Sequence, residues 1–405
     1  MRRAVKNCVR IVGMLVCIGT LSGCGDDLDA VMPLWSSGTQ KEQDKQQEKQ
    51  PQGLEDIAEK VVKEEAIQPE PTETTQPEGM EQSNTQEETT ITISAVGDVT
   101  LGNHHMQDYA YSFRQTFDTV EDEGYFFENV YDIFSADDMT LVNLEGVFTL
   151  SEQINEGRTY NIKGDPEYVK ILTAGSVEAV SMGNNHRLDY GEEGSRDTVE
   201  ALESEGIVYA YDNNIGIYET KGIRIGYVSV NEASQGKAVE KIMQNGIDKL
   251  KEEGVDLILA CCHWGTEREY YPEEYQQTFG RLCIDWGADL VIGHHPHVLQ
   301  GIEEYQGKYI IYSLGNFCFG ANRNPSDKDT MIFTQTFTFV EGEKTEDTTV
   351  RIIPCSLSSV ATRNDFKPTV AVGEEAERII NKINDFSREY GVEFDKDGYI
   401  AGKVK

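Results

Sequence analysis

Asp98, Asn143, Glu145, Asn185, His186, His263, His295 and His297 are the residues of this 405-residue chain whose types and placement could do chemistry. Imidazole nitrogen with carboxylate oxygen is a ligand set for Zn, Mn or Fe rather than for soft thiolate chemistry. His295-Pro296-His297 spaces two imidazoles one residue apart on a turn, which lets each face a different ion. A carboxylate can bridge two cations about 3.5–4 Å apart, and such a pair polarises a phosphoryl oxygen and makes hydroxide from water at neutral pH. A nearby histidine that is not a ligand can protonate a leaving group. Taken singly, each residue also has a structural reading: Asn143 capping a turn, Asp98 capping a helix, His263 satisfied in a core. The case rests on their joint placement.

That placement requires elements to carry them. Short apolar runs alternate with helical patterns from Ile91 onward, and the runs end in polar loops. Residues 91–96 lead into Asp98, 140–145 end at Glu145, and 177–182 lead into Asn185 and His186. Residues 255–261 lead into His263, 289–292 into His294, His295 and His297, and 309–314 into Asn316. Helical periodicity is seen at 195–206, 238–253 and 272–287, and again at 374–391. Strand–helix alternation with near-continuous apolar strands predicts a largely parallel, buried sheet. Residues 223–230, 331–340 and 349–355 read as further strands, with an antiparallel setting open. In open α/β sheets ligands bind beyond the carboxyl ends of the strands. Residues scattered over some two hundred positions are therefore expected on one rim. Five of the seven histidines fall in these loops, counting His294, and His104 and His105 follow the first strand.

The rest of the chain sets the context. Arg2, Arg3, Lys6 and Arg10 precede an apolar run from Ile11 to Leu21, then Ser22, Gly23 and Cys24. This predicts an export signal at 1–23, the run being too short to span a bilayer. Residues 24–90 are rich in Gln, Glu, Pro and Thr; from 25 to 90 there are 17 acidic and 5 basic residues. Such a segment cannot bury enough apolar surface to offset its ordering entropy, so it reads as a disordered acidic tether. The globular part is expected at 91–360, with a helical tail at 361–405. Net charge is −35, which argues against nucleic acid as a partner. Beyond the signal and Cys24 there are five cysteines and no CxxC pair; Cys261 and Cys262 lie in an apolar strand and read as buried small hydrophobes.

Two resemblances sharpen these readings. Leu21-Ser22-Gly23-Cys24 resembles a lipoprotein lipobox, which implies a diacylglycerol on Cys24 and anchoring at the extracytoplasmic face of the cell membrane. AVGDVTLG (95–102), LVNLEGVFT (141–149), NIKGDPE (161–167), SMGNNHRLDYG (181–191), CCHWGTE (261–267), GADLVIGHHPHVLQGIE (287–303) and YSLGNF (312–317) resemble the CapA family of capsule and poly-γ-glutamate synthesis. That family is similar in turn to calcineurin-like metallophosphoesterases. The resemblance implies an α/β fold of four layers, a β-sandwich flanked by helices.

The resemblance also implies roles. Asp98, Glu145 with Asn143 beside it, Asn185, His263, His295 and His297 match metal ligands, Glu145 standing where a bridging aspartate is expected. His186 matches the catalytic acid. Arg187 replaces the acidic residue that usually follows it, leaving Asp189 as an alternative orienting group and Arg187 as an anion contact or an ion-pair partner. Thr100 replaces a histidine ligand. One or two divalent ions are implied. Trp264, Glu267 and Asn316 are family-pattern residues, with substrate contact and packing both open. Two functions follow. One is a metal-dependent hydrolase or phosphoesterase acting in surface-polymer synthesis or attachment. The other is a non-catalytic component that grips an anionic polymer within a capsule-synthesis membrane complex.

Overall fold

The computed structural model describes residues 87–401. The signal, Cys24 and the tether lie outside the described residues. Two sheets account for most of the strands. In the first, the order across the sheet is Thr369–Val370, Glu343–Ser356, Asp329–Val340, Glu88–Thr100, Met139–Leu144, Ala179–Ser181, Val208–Ala210. Asn316–Phe319 also pairs with Glu88–Thr100, in parallel. The second runs Ile302–Tyr305, Lys308–Ile311, Leu290–His294, Leu257–His263, Ile223–Asn231, Gly216–Thr220. A small third sheet joins Asn103–His104, Ile162–Gly164 and Val147–Phe148.

The strands that carry site residues are parallel at the centre of each sheet, and the antiparallel strands lie outside them. Residues 331–340 and 349–355 are antiparallel, whereas Ile223–Asn231 is parallel to Leu257–His263. The run 309–314 is not one strand. It leaves the second sheet after Ile311, and Asn316 opens a strand of the first sheet. This crossing places Asn316 beside Asp98.

Alternation decides which face each side chain covers. Ile91, Ile93, Ala95, Met139 and Leu141 of the first sheet meet Ile225, Tyr227, Leu259, Cys261 and Ile292 of the second in one buried cluster. The outer face of the first sheet packs Val96, Val142 and Val180 against Ile171, Leu172 and Leu202 from helices Val169–Ala174 and Gly191–Ser204. The outer face of the second packs Val228, Val230 and Ala260 against Met243, Ile247, Phe279 and Ile284. Those come from helices Val239–Glu252 and Glu274–Trp286, whose apolar residues recur at three- and four-residue intervals. The layers are therefore helix, sheet, sheet, helix. Helix Glu374–Ser387 inserts Ile379, Ile380 and Ile383 into the inter-sheet cluster, so it seals that core. Among the described residues, no helix is long and apolar enough to cross a membrane.

The seam between the sheets is pinned close to the polar rim. Ser181 and Ser229 hydroxyls lie 2.6 Å apart, the Tyr227 hydroxyl donates to the Val180 carbonyl, and the Gly183 amide donates to Ser229 Oγ. A Cβ on Gly183 would sit 2.5 Å from the Ser229 carbonyl carbon. Glycine is what lets the Asn184–His186 loop lie against the opposite sheet.

Candidate metal centre

A register shift between Ala95 and Asp98 falls near the end of the first strand, which runs on to Thr100. Such irregularities re-aim a side chain at the end of a ladder. Asp98 is fully buried, its amide donates to the Gly315 carbonyl, and Gly97 lies so close to Gly315 that an added Cβ would be 2.0 Å from that oxygen. Asp98 Oδ1 accepts from Asn143 Nδ2 at 2.8 Å and lies 3.4 Å from His294 Nδ1. Its other oxygen is 3.0 Å from His297 Nδ1, which is also 3.0 Å from Asn316 Oδ1.

Glu145 is the hub. It is fully buried, and neither carboxylate oxygen has a hydrogen-bond partner. Its Oε1 lies 3.7 Å from His186 Nε2, 3.8 Å from His263 Nε2 and 3.7 Å from His297 Nε2. The Thr100 hydroxyl donates to the Glu145 carbonyl at 2.9 Å, so the residue standing where a histidine ligand is expected holds the Glu145 backbone instead. Asn143 Nδ2 is 3.4 Å from His263 Nδ1, and His263 Nε2 is 3.0 Å from Asn185 Oδ1. The His263 and His295 rings lie 4.6 Å apart between centroids. His295 and His297 both have positive φ, 97° and 58°, a strained backbone for non-glycine residues and one that clusters at functional sites.

The electrostatics follow from burial. Burial pushes the Glu145 carboxyl up to about 7, with the Asp98 charge adding and His297 opposing. Burial alone would also raise Asp98, but the close approach of His294 and His297 outweighs it and holds that carboxyl well below its usual range. Burial and the His297 charge bring His295 down to about 4, and burial takes His263 well down. His297 goes the other way, up to about 10: burial opposes its charge, but Glu145 and Asp98 outweigh burial. The site thus holds two buried carboxylates and one cationic imidazole, with the neutral imidazoles of His263 and His295 beside them.

A buried carboxylate with no hydrogen-bond partner, surrounded by imidazole nitrogens, has the donor set of a divalent-ion site, and the residues present fit one. Three groupings bring ligand atoms within 4.8 Å of one another: Glu145, His263 and His295; Asp98, Glu145 and His297; and Glu267, His295 and His297. Glu145 belongs to two of them. Both nitrogens of His294 and Nδ1 of His295 also lack hydrogen-bond partners.

His186 faces this centre from a cavity of about 570 Å³, lined also by Glu267, His297, Asn316 and His104. Its Nδ1 is 2.6 Å from Asp189 Oδ2, an oxygen that also accepts from the Ile162 amide at 2.6 Å. Arg158 approaches the other Asp189 oxygen at 3.5 Å. Asp189 therefore orients His186 with Nε2 toward Glu145.

Two residues are placed elsewhere. Arg187 pairs with Asp212 at 2.9 Å, donates to Ser195 Oγ and lies over the Tyr211 ring, so of its two readings the ion pair is the one seen, and the side chain is absent from the cavity lining. Trp264 is fully buried, donates to the Tyr312 carbonyl at 2.9 Å and packs on Phe279; its role is packing and not substrate contact. Asn184 and His294 are site residues to which sequence reasoning assigned no role. Asn184 donates to Asn143 Oδ1 and the Leu144 carbonyl and accepts from the His186 amide, tying two strand-end loops together. His294 pairs in register with His263, so its strand-end position was the available signal.

An α/β protein of two packed sheets, with histidines and carboxylates from the strand ends of both gathered at one rim, is the class defined here. The profile of the bacterial capsule synthesis protein PGA_cap matches residues 92–321, and the chain belongs to that family, the CapA family. The capsule biosynthesis protein CapA of Bacillus anthracis is 28% identical over 256 residues, 56% of this chain and 60% of the relative. The PGA biosynthesis protein CapA of Bacillus subtilis strain 168 is 29% identical over 252 residues, 56% of this chain and 63% of the relative. The match thus spans about three fifths of the length of these curated relatives. A hypothetical protein from Thermus thermophilus aligns over 65% of this chain and 99% of its own at 15% identity, with a TM-score of 0.39.

Proposed function

We propose that this chain is a lipid-anchored, extracytoplasmic protein acting in synthesis or attachment of an anionic surface polymer, by metal-dependent hydrolysis of the phosphoesterase type. The single observation that carries the chemistry is Glu145, a buried carboxylate with both oxygens unpartnered, shared between two ligand groupings. Asp98, Glu145, His263, His295 and His297 would hold one or two ions of Mn, Zn or Fe, with Asn143 and Asn185 beside them. A bound ion supplies Lewis-acid polarisation of the scissile group and acidifies water. His186, oriented by Asp189, delivers the proton to the leaving group. Helix–sheet–sheet–helix layering supports a metallophosphoesterase-like architecture. Family membership and the relatives' names support capsule or poly-γ-glutamate synthesis as the setting. The lipobox-like segment at Cys24 supports the membrane anchor, and through it a place in a membrane-bound capsule-synthesis complex.

Metal quantification on the purified full chain tests this reading. Hydrolysis of a generic phosphodiester by wild type, His186→Ala and His297→Ala completes the test. Bound metal, with activity lost in both variants, is expected. No metal, and no activity with Mn, Zn or Fe supplied, sinks it. Mass spectrometry finding an unmodified Cys24 in the mature protein removes the anchor.

Thr100 favours a second reading. Its bond to the Glu145 carbonyl is structural, so one expected ligand is missing. The site would then grip an anionic polymer without cleaving it. Surface polymer restored in a deletion strain by the His186→Ala, His297→Ala double variant would select this reading over hydrolysis.

A further inference from the structure

The lining of the same cavity includes Arg268 and Arg323. Both arginines are exposed. Arg268 has φ of 65°, the third positive-φ side-chain residue at this site after His295 and His297. Its amide donates to the Pro296 carbonyl at 2.8 Å, which ties it to the turn between those two histidines. No carboxylate lies within ion-pair distance of its guanidinium among the described residues. Arg323 reaches only the Ala110 carbonyl, at 3.3 Å, and its loop is fixed from behind. Asn364 donates to the Phe319 and Asn322 carbonyls, and its amide donates to the Arg323 carbonyl.

In a chain of net charge −35, arginines are readily neutralised by neighbours. Arg187, Arg281 and Arg378 are all paired with carboxylates. Asp108, Glu267 and Asp327 line the same cavity, but none pairs with either arginine, and Asp327 is already engaged by Lys382 and Tyr270. Two guanidiniums left open on a cavity wall, one of them on a strained backbone fastened to the histidine turn, present planar donors to a ligand. A guanidinium matches carboxylate and phosphate oxygens with two parallel donors. Residues held in rare backbone conformations persist where surrounding structure imposes them, and such positions concentrate at ligand clamps.

We propose that Arg268 and Arg323 form a clamp for an anionic group of the substrate, a carboxylate or a phosphate, held beside the Glu145 centre rather than on it. The inference rests on the proposed function for the reaction but not for the binding. Met106, Tyr160 and Phe319 complete the cavity wall and give an extended ligand an apolar surface to lie on. The arginines thus select charge and fix where along the ligand the reacting bond falls. They take no part in proton transfer.

The test is fluorescence anisotropy on the full chain, with labelled poly-glutamate, labelled inorganic polyphosphate and labelled neutral dextran as probes. Wild type is expected to bind one or both anionic probes and not dextran, and to weaken as salt rises. Whichever anion binds identifies the oxygen chemistry. Arg268→Ala and Arg323→Ala should each weaken binding about tenfold or more, as loss of a charged hydrogen bond does. Arg196→Ala, on a helix outside the cavity, should leave it unchanged. Arg268→Gly relieves the backbone strain while removing the guanidinium, so weak binding by that well-folded variant separates recognition from stability. Wild type that binds neither anion, or a double Arg268→Ala, Arg323→Ala variant within twofold of wild type, overturns the clamp. Metal content measured on the same samples keeps the two proposals apart. Anion binding without metal keeps the clamp and removes the hydrolase; metal without anion binding does the reverse.

Discussion

At the scale of residues, the site is a problem in charge compensation. Asp98 and Glu145 are both fully buried, and His297 supplies the positive charge that makes this tolerable. A divalent ion entering the site takes over that task, so it must displace the His297 proton. With His297 held up to about 10, it is protonated at neutral pH, and metal affinity should rise about tenfold per pH unit from pH 7 toward 10. Below about 7 the Glu145 proton must leave as well, and the dependence should steepen. Calorimetric titration of chelator-treated protein in buffers of different ionisation enthalpy counts those protons; a count near zero at pH 8 would refute the assignment. Gly97 belongs to the same scale. Gly97→Ala forces a Cβ onto the Gly315 carbonyl, which should cost about 1–3 kcal/mol in urea denaturation and lower metal content by moving Asp98.

At the scale of elements, strand ends are what the sequence discloses best. An apolar run that stops at Asp98, Glu145, His263 or His294 announces a buried strand and its functional tip, because side chains inside the sheet must be apolar and those beyond it need not be. Side-chain direction after the strand is not announced. Arg187 follows His186 directly yet turns to Asp212, and Trp264 follows His263 yet turns into the helix layer. His263 ends a strand, where neighbours point to opposite sides, and His186 and Arg187 lie in a turn; in both, only packing selects which side is the cavity. The run 309–314 misled for a related reason. Its hydrophobicity is continuous, but only residues 309–311 pair in the second sheet, and the chain then crosses to open a strand of the first at Asn316. Helix Glu374–Ser387 shows what lies outside the site. Ile383 is fully buried between the sheets, so Ile383→Ala should cost about 2–5 kcal/mol in chemical denaturation. Metal bound per folded molecule should be unchanged, and a fall would mean this helix also shapes the site.

At the scale of the whole molecule, ion binding and stability are linked. Ligands that sit on both sheets are assembled only in the folded state, so metal at a hundred times its Kd should add about 2.7 kcal/mol. Thermal melting with chelator and with added Mn or Zn measures this, and Glu145→Gln should abolish most of the rise. Equal melting temperatures with and without metal would show that the rim does not hold an ion.

The pairing of Glu88–Thr100 with Asp329–Val340 brings Ile91 opposite Phe337. It sets a clock on the molecule. The two strands are far apart in sequence, and pairing over such a span forms slowly. Until that neighbour arrives, residues 93–95 are paired on one side only, with Met139–Leu141. A chain in which Asp329–Val340 has not yet paired therefore lacks part of the frame on which the site is built.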